Sequence, residues 1–309
     1  MQNRYYDLNT YFRQRFGERV HKIAVDAGLT CPNRDGTLGS SGCIYCNERG
    51  SGTGAHARGL SITEQIEASK IPIAKRFKAK KFLVYFQSFS NTYAPVEQLE
   101  ALYKEALSVP DVVGLTIGTR PDCVDEATLT VLERLAGKHL IWIEYGLQSA
   151  HDPTLALIRR GHDVATFDRA VYATAGRGIN ICAHIIFGLP GETAGHMRAT
   201  ADHIAQLPID GVKLHLLYIV KGTPMETLYQ SGQYRCMEQD EYADLACDLI
   251  ERLSEKVVIQ RLTGDPHRKE LVAPQWALKK DHTLNLIKQE LFQRGSRQGT
   301  KYREPINKV

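Results

Sequence analysis

Three cysteines in one loop are the side chains of this sequence most able to do chemistry. Cys31, Cys43 and Cys46 lie within sixteen residues, after a strand-like run over 21–28 and before a helical pattern that begins near Ser61. Thiols gathered on a strand-to-helix loop favour a soft metal over packing. Structural zinc takes four closed ligands, and an ordinary iron–sulfur cluster takes four thiolates. Three cysteines therefore predict a cluster that keeps one iron open for a small molecule.

The spacing of the cysteines leaves a second interpretation open. Eleven residues separate Cys31 from Cys43, and they are rich in Asn, Asp, Gly and Ser. These residue types form turns, so the loop can fold back and bring the two thiols together. A Cys-x2-Cys pair is also typical of zinc, in which case His21 or His56 would supply the fourth ligand.

The composition is that of a globular protein in a reducing compartment. Of 309 residues, 43% are apolar and 24% are charged, which is ordinary for a domain that needs no disulfides. Seven cysteines without regular spacing argue against a secreted disulfide framework. No run of eighteen apolar residues is present, and residues 1–7 lack the apolar segment of a signal peptide. We expect a cytoplasmic protein that has no membrane partner.

Two stretches are strongly basic, although the net charge is only +4. Six lysines and arginines fall between Lys70 and Lys81, and the tail from Arg294 to Lys308 carries more. Such stretches suit a phosphate backbone. A solvated helix face and a frayed terminus have the same composition, so the charge makes a nucleic acid one candidate partner.

Strand-like runs alternate with amphipathic helical windows, and this alternation would position the cysteine loop. The runs cover 23–27, 82–86, 112–117, 140–147, 179–187 and 212–220. Near-continuous apolar strands separated by helices indicate an α/β fold with a parallel sheet and right-handed crossovers. Periodicity allows either a doubly wound open sheet or a partial barrel. We expect residues 1–20 to form a packing segment, 21–231 the core domain, and 232–309 an extension packed on it with a basic tail.

The cysteine loop and the strand ends together resemble those of radical S-adenosylmethionine (SAM) enzymes. The last two cysteines stand in Cys-Ile-Tyr-Cys-Asn, and the gaps between cysteines are eleven and two residues, where the superfamily usually has three and two. The chain resembles the branch that shares its catalytic domain with the elongator catalytic subunit, and within it a small stand-alone subfamily with this wide spacing. The resemblance implies a partial (β/α)6 TIM-like barrel with a C-terminal α/β extension.

The resemblance also implies the cofactors. Cys31, Cys43 and Cys46 would hold a [4Fe–4S] cluster as the catalytic and metal-binding residues, and SAM would bind its open iron. Reductive cleavage of SAM would then give a 5′-deoxyadenosyl radical. The protein would orient these groups and exclude water around them.

Further residues are implied as SAM contacts, beginning at the cysteine loop and the second strand. Tyr45 stands where the family places an aromatic ring against the adenine, although a core tyrosine would fit the same position. Gln87 and Ser88 occupy the place of a glycine-glycine-glutamate stretch whose backbone pairs with the methionine amino group. The glycines and the acid of that stretch are absent here.

The fourth strand ends in a second set of candidate contacts. Glu144, Gln148 and Ser149 match positions from which the family reaches the ribose and carboxylate of SAM. The alternative is that Glu144 is a strand-end acid paired with Arg159 or Arg160.

The fifth strand and the loop after the fourth supply the last set. Ile186, Gly188 and Glu192 match a signature that flanks the adenine, although His184 replaces its first glycine. Glu192 would otherwise begin the next helix as a favourable acid. Arg160, in an Arg-Gly-His stretch, is implied near the SAM carboxylate, which arginine can bind through two parallel hydrogen bonds. A structural ion pair is the alternative for Arg160.

The resembling subfamily looks like tRNA modifiers that act on the side chain at C5 of the wobble uridine. The resemblance therefore implies tRNA as a partner and a one-electron reductant such as a flavodoxin or ferredoxin. Two alternatives stay open: a radical SAM enzyme acting on a small metabolite or tetrapyrrole, and a zinc-stabilised nucleic-acid-binding protein without catalysis. Cys123, at the end of a Thr-Arg-Pro-Asp-Cys loop, is a candidate extra ligand or hydrogen donor.

Overall fold

Seven parallel strands form one sheet, in which the first six strands of the chain lie in sequence order and the eighth strand of the chain comes last. The computed structural model describes residues 3–48, 50 and 55–304. The strands of the sheet are β1 (Val20–Val25), β2 (Lys81–Phe86), β3 (Val112–Thr119), β4 (Leu140–Gln148), β5 (Asn180–Phe187), β6 (Gly211–Leu216) and β8 (Val258–Arg261). A second, antiparallel pair is formed by β7 (Ile219–Val220) and β9 (Leu271–Ala273).

Helices connect the strands and cover the sheet. They are α1 (Leu8–Phe16), α2 (Ile62–Phe77), α3 (Val96–Ser108), α4 (Glu126–Ala136), α5 (Asp152–Leu157), α6 (Val164–Thr174), α7 (Ala194–Ala205), α8 (Pro224–Gln230), α9 (Gln239–Arg252) and α10 (Lys280–Gln293). Side-chain caps start several of them: Ser61 and Glu64 form a capping box at α2, and Asp125 and Asp163 cap α4 and α6. Every residue of β4 is buried, as expected for a strand covered on both faces.

The predicted partial barrel is confirmed, and the extension adds a strand to it. The run around 257–262 becomes β8, which pairs with β6 as the seventh strand of the same sheet. The predicted sixth strand over 212–220 was too long, because the chain leaves the sheet after Leu216 and resumes as β7. The division of the chain at 20/21 and 231/232 stays a proposal.

Side chains and the N-terminal segment bridge the two edges of the curled sheet. Lys22 on β1 donates from Nζ to Oε1 of Gln260 on β8 at 2.6 Å. Ahead of α1, Asp7 forms a parallel bridge with Ile259 of β8, and the Ile259 amide donates to the Tyr6 carbonyl at 2.8 Å. The edges β1 and β8 therefore face one another across the barrel opening.

An apolar plug closes the amino end of the barrel. Phe12 of α1 packs with Leu83, Leu140 and Trp142, which come from the first halves of their strands. The ring of Tyr11 stands edge-on to Trp142, with 5.6 Å between centroids. This plug fills the amino end of the barrel, opposite the carboxyl ends of the strands.

The two basic stretches lie away from that open end. The stretch from Lys70 to Lys81 spans the end of α2 and the start of β2, at the amino end of the sheet. In the tail, Arg294 is largely enclosed by carboxylates of α9 and α10. These are Asp244, Asp248, Glu251 and Glu290. Lys301 pairs with Glu251 as well, and Lys308 lies outside the described residues.

Among the helices described, none is both long enough and apolar enough to cross a lipid bilayer.

Candidate active site

The three cysteines line one wall of a cavity of about 550 Å³ at the carboxyl end of the barrel. The loop that follows β1 folds back through its turn residues, with the Gly42 amide donating to the Asn33 carbonyl at 2.8 Å. Gly42 has φ +73°, a conformation that glycine adopts without strain. Cys31, Cys43 and Cys46 are thereby brought to the same cavity.

Charged and amide donors surround the thiols. Asn33 Nδ2 lies 3.5 Å from Cys43 Sγ, and Arg160 Nη1 lies 3.8 Å from it. Arg34 donates to the carbonyl of Cys46 at 3.0 Å and so fixes the end of the loop. Burial raises the pKa of the Cys46 thiol, and the nearby Arg34 guanidinium acts in the opposite direction. These donors are placed to hydrogen-bond the sulfur atoms of cysteines that hold a metal or cluster.

Arg160 is held by backbone and not by a carboxylate. Its Nη2 and Nε donate to the Gly146 carbonyl at 2.8 and 3.2 Å, and its side chain is buried. A Cβ at Gly146 would lie 2.6 Å from Arg160 Nη2, so this position requires glycine for the arginine to pass. The alternative of an ion pair between Glu144 and Arg159 or Arg160 is wrong.

Glu144 instead lies mid-strand on the cavity floor between two lysines. Its carboxylate accepts from Lys213 Nζ at 2.7 Å and from Lys22 Nζ at 3.0 Å, and Lys213 also donates to the Tyr85 hydroxyl at 2.7 Å. Burial raises the pKa of Glu144, but the ammonium groups of Lys213 and then Lys22 outweigh it, so the pKa is well below its usual value. The carboxylate stays ionised and its charge is taken by protein groups.

The other predicted SAM contacts divide into two groups. The cavity wall includes Tyr45, Gln87, Glu144, Gln148, Arg160 and Ile186. The wall does not include Ser88, Ser149, Gly188 or Glu192.

Packing explains why this second group is set back from the wall. Ser88 is fully buried behind it. Ser149 donates its hydroxyl to the Glu192 carboxylate, so each satisfies the other. The Gly188 carbonyl accepts from the Tyr234 hydroxyl at 2.6 Å. None of the four lines the cavity, and of their side chains the Ser88 hydroxyl is buried without a partner among the residues described.

Three buried polar atoms of wall residues have no hydrogen-bond partner among the residues described: Ser90 Oγ, Gln148 Oε1 and His184 Nε2. Gln148 also has φ +75° at a register shift between β4 and β5, which is a strained conformation for a residue other than glycine. Buried polar atoms are normally hydrogen-bonded, so the cavity has unused bonding capacity that fits a polar ligand such as SAM. The three thiols on the same wall fit a [4Fe–4S] cluster, and the unpartnered polar atoms fit a SAM molecule bound next to it.

Neither of the two histidines predicted as a fourth zinc ligand lies among the residues that line the cysteine cavity. His21 lies at the amino end of β1, where its ring stacks on Phe77 with 4.1 Å between centroids. His56 packs over Gly28, where an added Cβ would lie 2.3 Å from His56 Nε2. Across the described ranges, no three His, Cys, Asp or Glu side chains converge as a single-ion site.

Cys123 lines a separate, shallower cavity with Tyr93 and Asp125. Burial raises the pKa of its thiol to about 12, with Asp122 adding to the effect. This thiol is therefore protonated and is not on the wall that holds the three loop cysteines.

Sequence reasoning missed the polar floor of the cavity. Lys213 and His215 of β6, His184 of β5 and Arg261 of β8 all line it. The signal was present in β6, where Val-Lys-Leu-His-Leu alternates with period two and so directs lysine and histidine to one face. Arg120, also on the wall, is fully buried and donates to the Arg160 carbonyl at 2.7 Å.

Two family models together match most of the chain. The family model "Radical SAM superfamily" matches residues 31–204, and "Radical_SAM C-terminal domain" matches 209–293. "Uncharacterized protein YtqA" of Bacillus subtilis is 40% identical over 298 residues, covering 96% of this chain and 92% of that protein. A "tRNA uridine(34) acetyltransferase" of Dehalococcoides mccartyi is 28% identical over 156 residues, covering 50% of this chain and 33% of that protein.

Among solved structures, an archaeal Elp3 of Methanocaldococcus infernus with an N-terminal deletion has the same fold. The TM-score is 0.70 at 18% identity, and the match covers 90% of this chain and 64% of that chain.

Proposed function

The chain belongs to the radical SAM superfamily, and we propose that it modifies tRNA at the C5 side chain of the wobble uridine. It is a radical SAM enzyme whose cofactors are a [4Fe–4S] cluster and SAM. The resemblance to the superfamily and to its elongator-like branch is confirmed. The observation that carries the tRNA proposal is the similarity of half of this chain to a tRNA uridine(34) acetyltransferase.

In this proposal Cys31, Cys43 and Cys46 hold the cluster. When bound, the cluster supplies the electron for reductive cleavage of SAM, and a flavodoxin or ferredoxin is the proposed donor. Asn33 and Arg160 direct N–H donors at the Cys43 sulfur, where they would hydrogen-bond a cluster ligand. The apolar plug at the amino end of the barrel excludes water from below.

Exposed cations at the mouth of the cavity support an RNA partner. Lys221 follows β7, and Arg268 and Lys269 precede β9; all three are exposed. The Lys221 amide donates to the Glu270 carbonyl at 2.9 Å, which places the two segments side by side. In the described part of the chain none of the three cations pairs with a carboxylate. We define Lys221, Arg268 and Lys269 as the mouth cations, and they suit phosphates better than the basic stretches at the other end.

The first experiment tests the cluster and the cleavage of SAM. Protein purified without oxygen is compared with Cys31→Ala and with the control Cys247→Ala, which removes a buried thiol from α9. We expect about four irons and visible absorption in the wild type and the control, and loss of both in Cys31→Ala. With SAM and dithionite, only the two brown proteins should release 5′-deoxyadenosine. Colourless wild-type protein after reconstitution with iron and sulfide would contradict the assignment.

The second experiment tests tRNA. Binding of bulk tRNA to the mouth variant, Lys221→Gln with Arg268→Gln and Lys269→Gln, is compared with Lys75→Gln, Lys78→Gln and Lys80→Gln. Both variants lose three positive charges, so net charge is matched. We expect only the mouth variant to bind tRNA more weakly. Its plot of log binding constant against log salt concentration should also be less steep, by roughly 0.7–0.9 in slope for each lost phosphate contact.

Nucleoside mass spectrometry of tRNA treated with enzyme, SAM and reductant then identifies the modified uridine. Substrate turnover that survives ribonuclease would contradict tRNA and favour a small metabolite or tetrapyrrole.

A further inference from the structure

Three inward side chains form a continuous row on the cavity floor. His184 of β5 is the register partner of Lys213 of β6, and Lys213 is in turn the register partner of Arg261 of β8. Paired residues of neighbouring strands point to the same face of a sheet, so the three side chains stand next to one another. All three line the cavity that the cysteines also line.

This row carries more positive charge than the floor neutralises. Lys22 and Lys213 share the single carboxylate of Glu144, which leaves one positive charge in excess. Arg261 adds another: its Nε donates to the Thr263 carbonyl, and within the described residues its terminal nitrogens have no hydrogen bond or ion pair.

The nearest acids on the upper wall are already engaged. Asp265 pairs with Lys280 at 3.0 Å, and Glu270 accepts from Asn47 Nδ2 at 3.2 Å. Among the residues described, the floor therefore has excess positive charge without a carboxylate to neutralise it.

The histidines beside Arg261 can supply a donor without adding charge. Burial lowers the pKa of His184 and of His215 well below the usual value, and Lys213 and Arg261 respectively add to this effect. His215 uses Nδ1 to donate to the Leu216 carbonyl, whereas His184 Nε2 is buried and unpartnered. Uncompensated buried charge and an orphaned ring nitrogen both cost free energy, which a bound anion would recover.

We propose that Arg261, Lys213 and His184 form an oxyanion subsite for a carboxylate or phosphate group of the substrate. The inference rests on the proposed function, because it assigns the substrate group that enters the same cavity. The anion is either the phosphate of one inserted nucleotide or a carboxylate of the group being modified. Arg261 provides two parallel N–H donors for such an oxyanion, and Lys213 provides a charge.

The test measures anion binding by the cluster-loaded protein, not turnover. Thermal unfolding is followed as inorganic phosphate or sodium acetate is added, against sodium chloride at equal ionic strength. The proteins are the wild type, Arg261→Gln, Arg261→Lys and the control Arg169→Gln. Arg169 is exposed on α6, where it donates to the Thr166 hydroxyl of the same helix, so its replacement removes the same charge outside the cavity wall.

We expect phosphate or acetate to stabilise the wild type and Arg169→Gln more than chloride does. In Arg261→Gln the apparent dissociation constant should rise about tenfold or more, because a charge-assisted bidentate contact is lost. The dissociation constant of Arg261→Lys should lie between those of the wild type and Arg261→Gln. If Arg261→Gln does not fold, Arg261→Lys is the variant compared with the wild type. If phosphate has the lower dissociation constant, the substrate group in the subsite is a phosphate. If acetate has the lower dissociation constant, the group is a carboxylate.

Two results would overturn the subsite: no stabilisation beyond chloride in the wild type, or equal stabilisation in Arg261→Gln. The titration is repeated with saturating SAM. Loss of the anion effect under SAM would assign the floor to the SAM carboxylate and so also overturn the inference. Release of 5′-deoxyadenosine is measured on the same samples. Failure of the proposed chemistry would abolish that release, whereas failure of the subsite alone would leave it intact.

Discussion

Replacing Glu144 by glutamine isolates the electrostatic role of the cavity floor. The substitution keeps the shape of the side chain but removes the charge that Lys213 and Lys22 share at 2.7 and 3.0 Å. Glu144 is 2% exposed and Lys213 is 6% exposed, so solvent cannot replace the missing carboxylate. We therefore expect Glu144→Gln to destabilise the fold far more than a surface change of the same kind.

The size of the effect follows from two opposing terms. At an effective dielectric constant of about 20, each ion pair near 3 Å is worth roughly 5–6 kcal/mol before desolvation. Burying each ion costs several kcal/mol, which offsets most of that gain in the intact cluster. Removing one partner leaves the desolvation cost of the other ions in place, and the usual net loss is about 3–5 kcal/mol.

Urea unfolding of the cluster-loaded protein measures this loss. With a slope of about 3 kcal/mol per molar for a chain of this size, the midpoint of Glu144→Gln should fall by roughly 1–1.7 M. The double variant Glu144→Gln with Lys213→Met should recover much of the loss, because the unpaired ammonium is gone. A single variant within about 0.2 M of the wild type, or a double variant that loses the sum of both single effects, would refute a dry cluster in which Lys213 depends on the Glu144 carboxylate.

Three further changes test other parts of the site. In Gly146→Ala the new Cβ would lie 2.6 Å from Arg160 Nη2, so we expect the Arg160 side chain to move away from Cys43. The iron content of the purified protein should then fall several-fold relative to the control Gly137→Ala. Phe12→Ala should lower the free energy of unfolding by about 3–5 kcal/mol through a cavity in the plug, measured by the urea midpoint. The stability that ionised Glu144 contributes is fully present above its unfolded pKa of 4.5 and is lost as pH falls below it, so Glu144→Gln should flatten the acid side of the stability–pH profile.

The sequence predicts the upper part of the site well because that part depends on local chemistry. Turn residues return Cys43 to Cys31, and a parallel sheet gathers its strand ends at one edge, so Gln148 and Arg160 reach the same cavity. The partners of Glu144 could not be predicted in this way. Lys22 is 122 residues away in sequence and Lys213 is 69 away, on strands that face Glu144 only after the sheet curls.

The same reason explains the basic stretches and the seventh strand. Clustering of Lys70 to Lys81 along the chain shows that the charges are close together but not at which end of the barrel they lie. The chain enters β2 at Lys81, which fixes them at the amino end. β8 is only four residues long, so its run of apolar residues does not distinguish a barrel strand from a strand of a separate extension.

The C-terminal extension completes the site, and it does more than cover the barrel. Gln260 of β8 accepts a hydrogen bond from the Lys22 ammonium, and this contact links the two edges of the sheet. Through Arg261 it adds the last side chain of the cavity floor, and β9 pairs with β7 beside the mouth cations. Without β8, β6 would be an exposed edge strand and Lys22 would lose one of its two acceptors. A barrel of six strands would therefore keep the cysteine wall but lose Arg261 from the cavity floor, where the substrate group is proposed to bind.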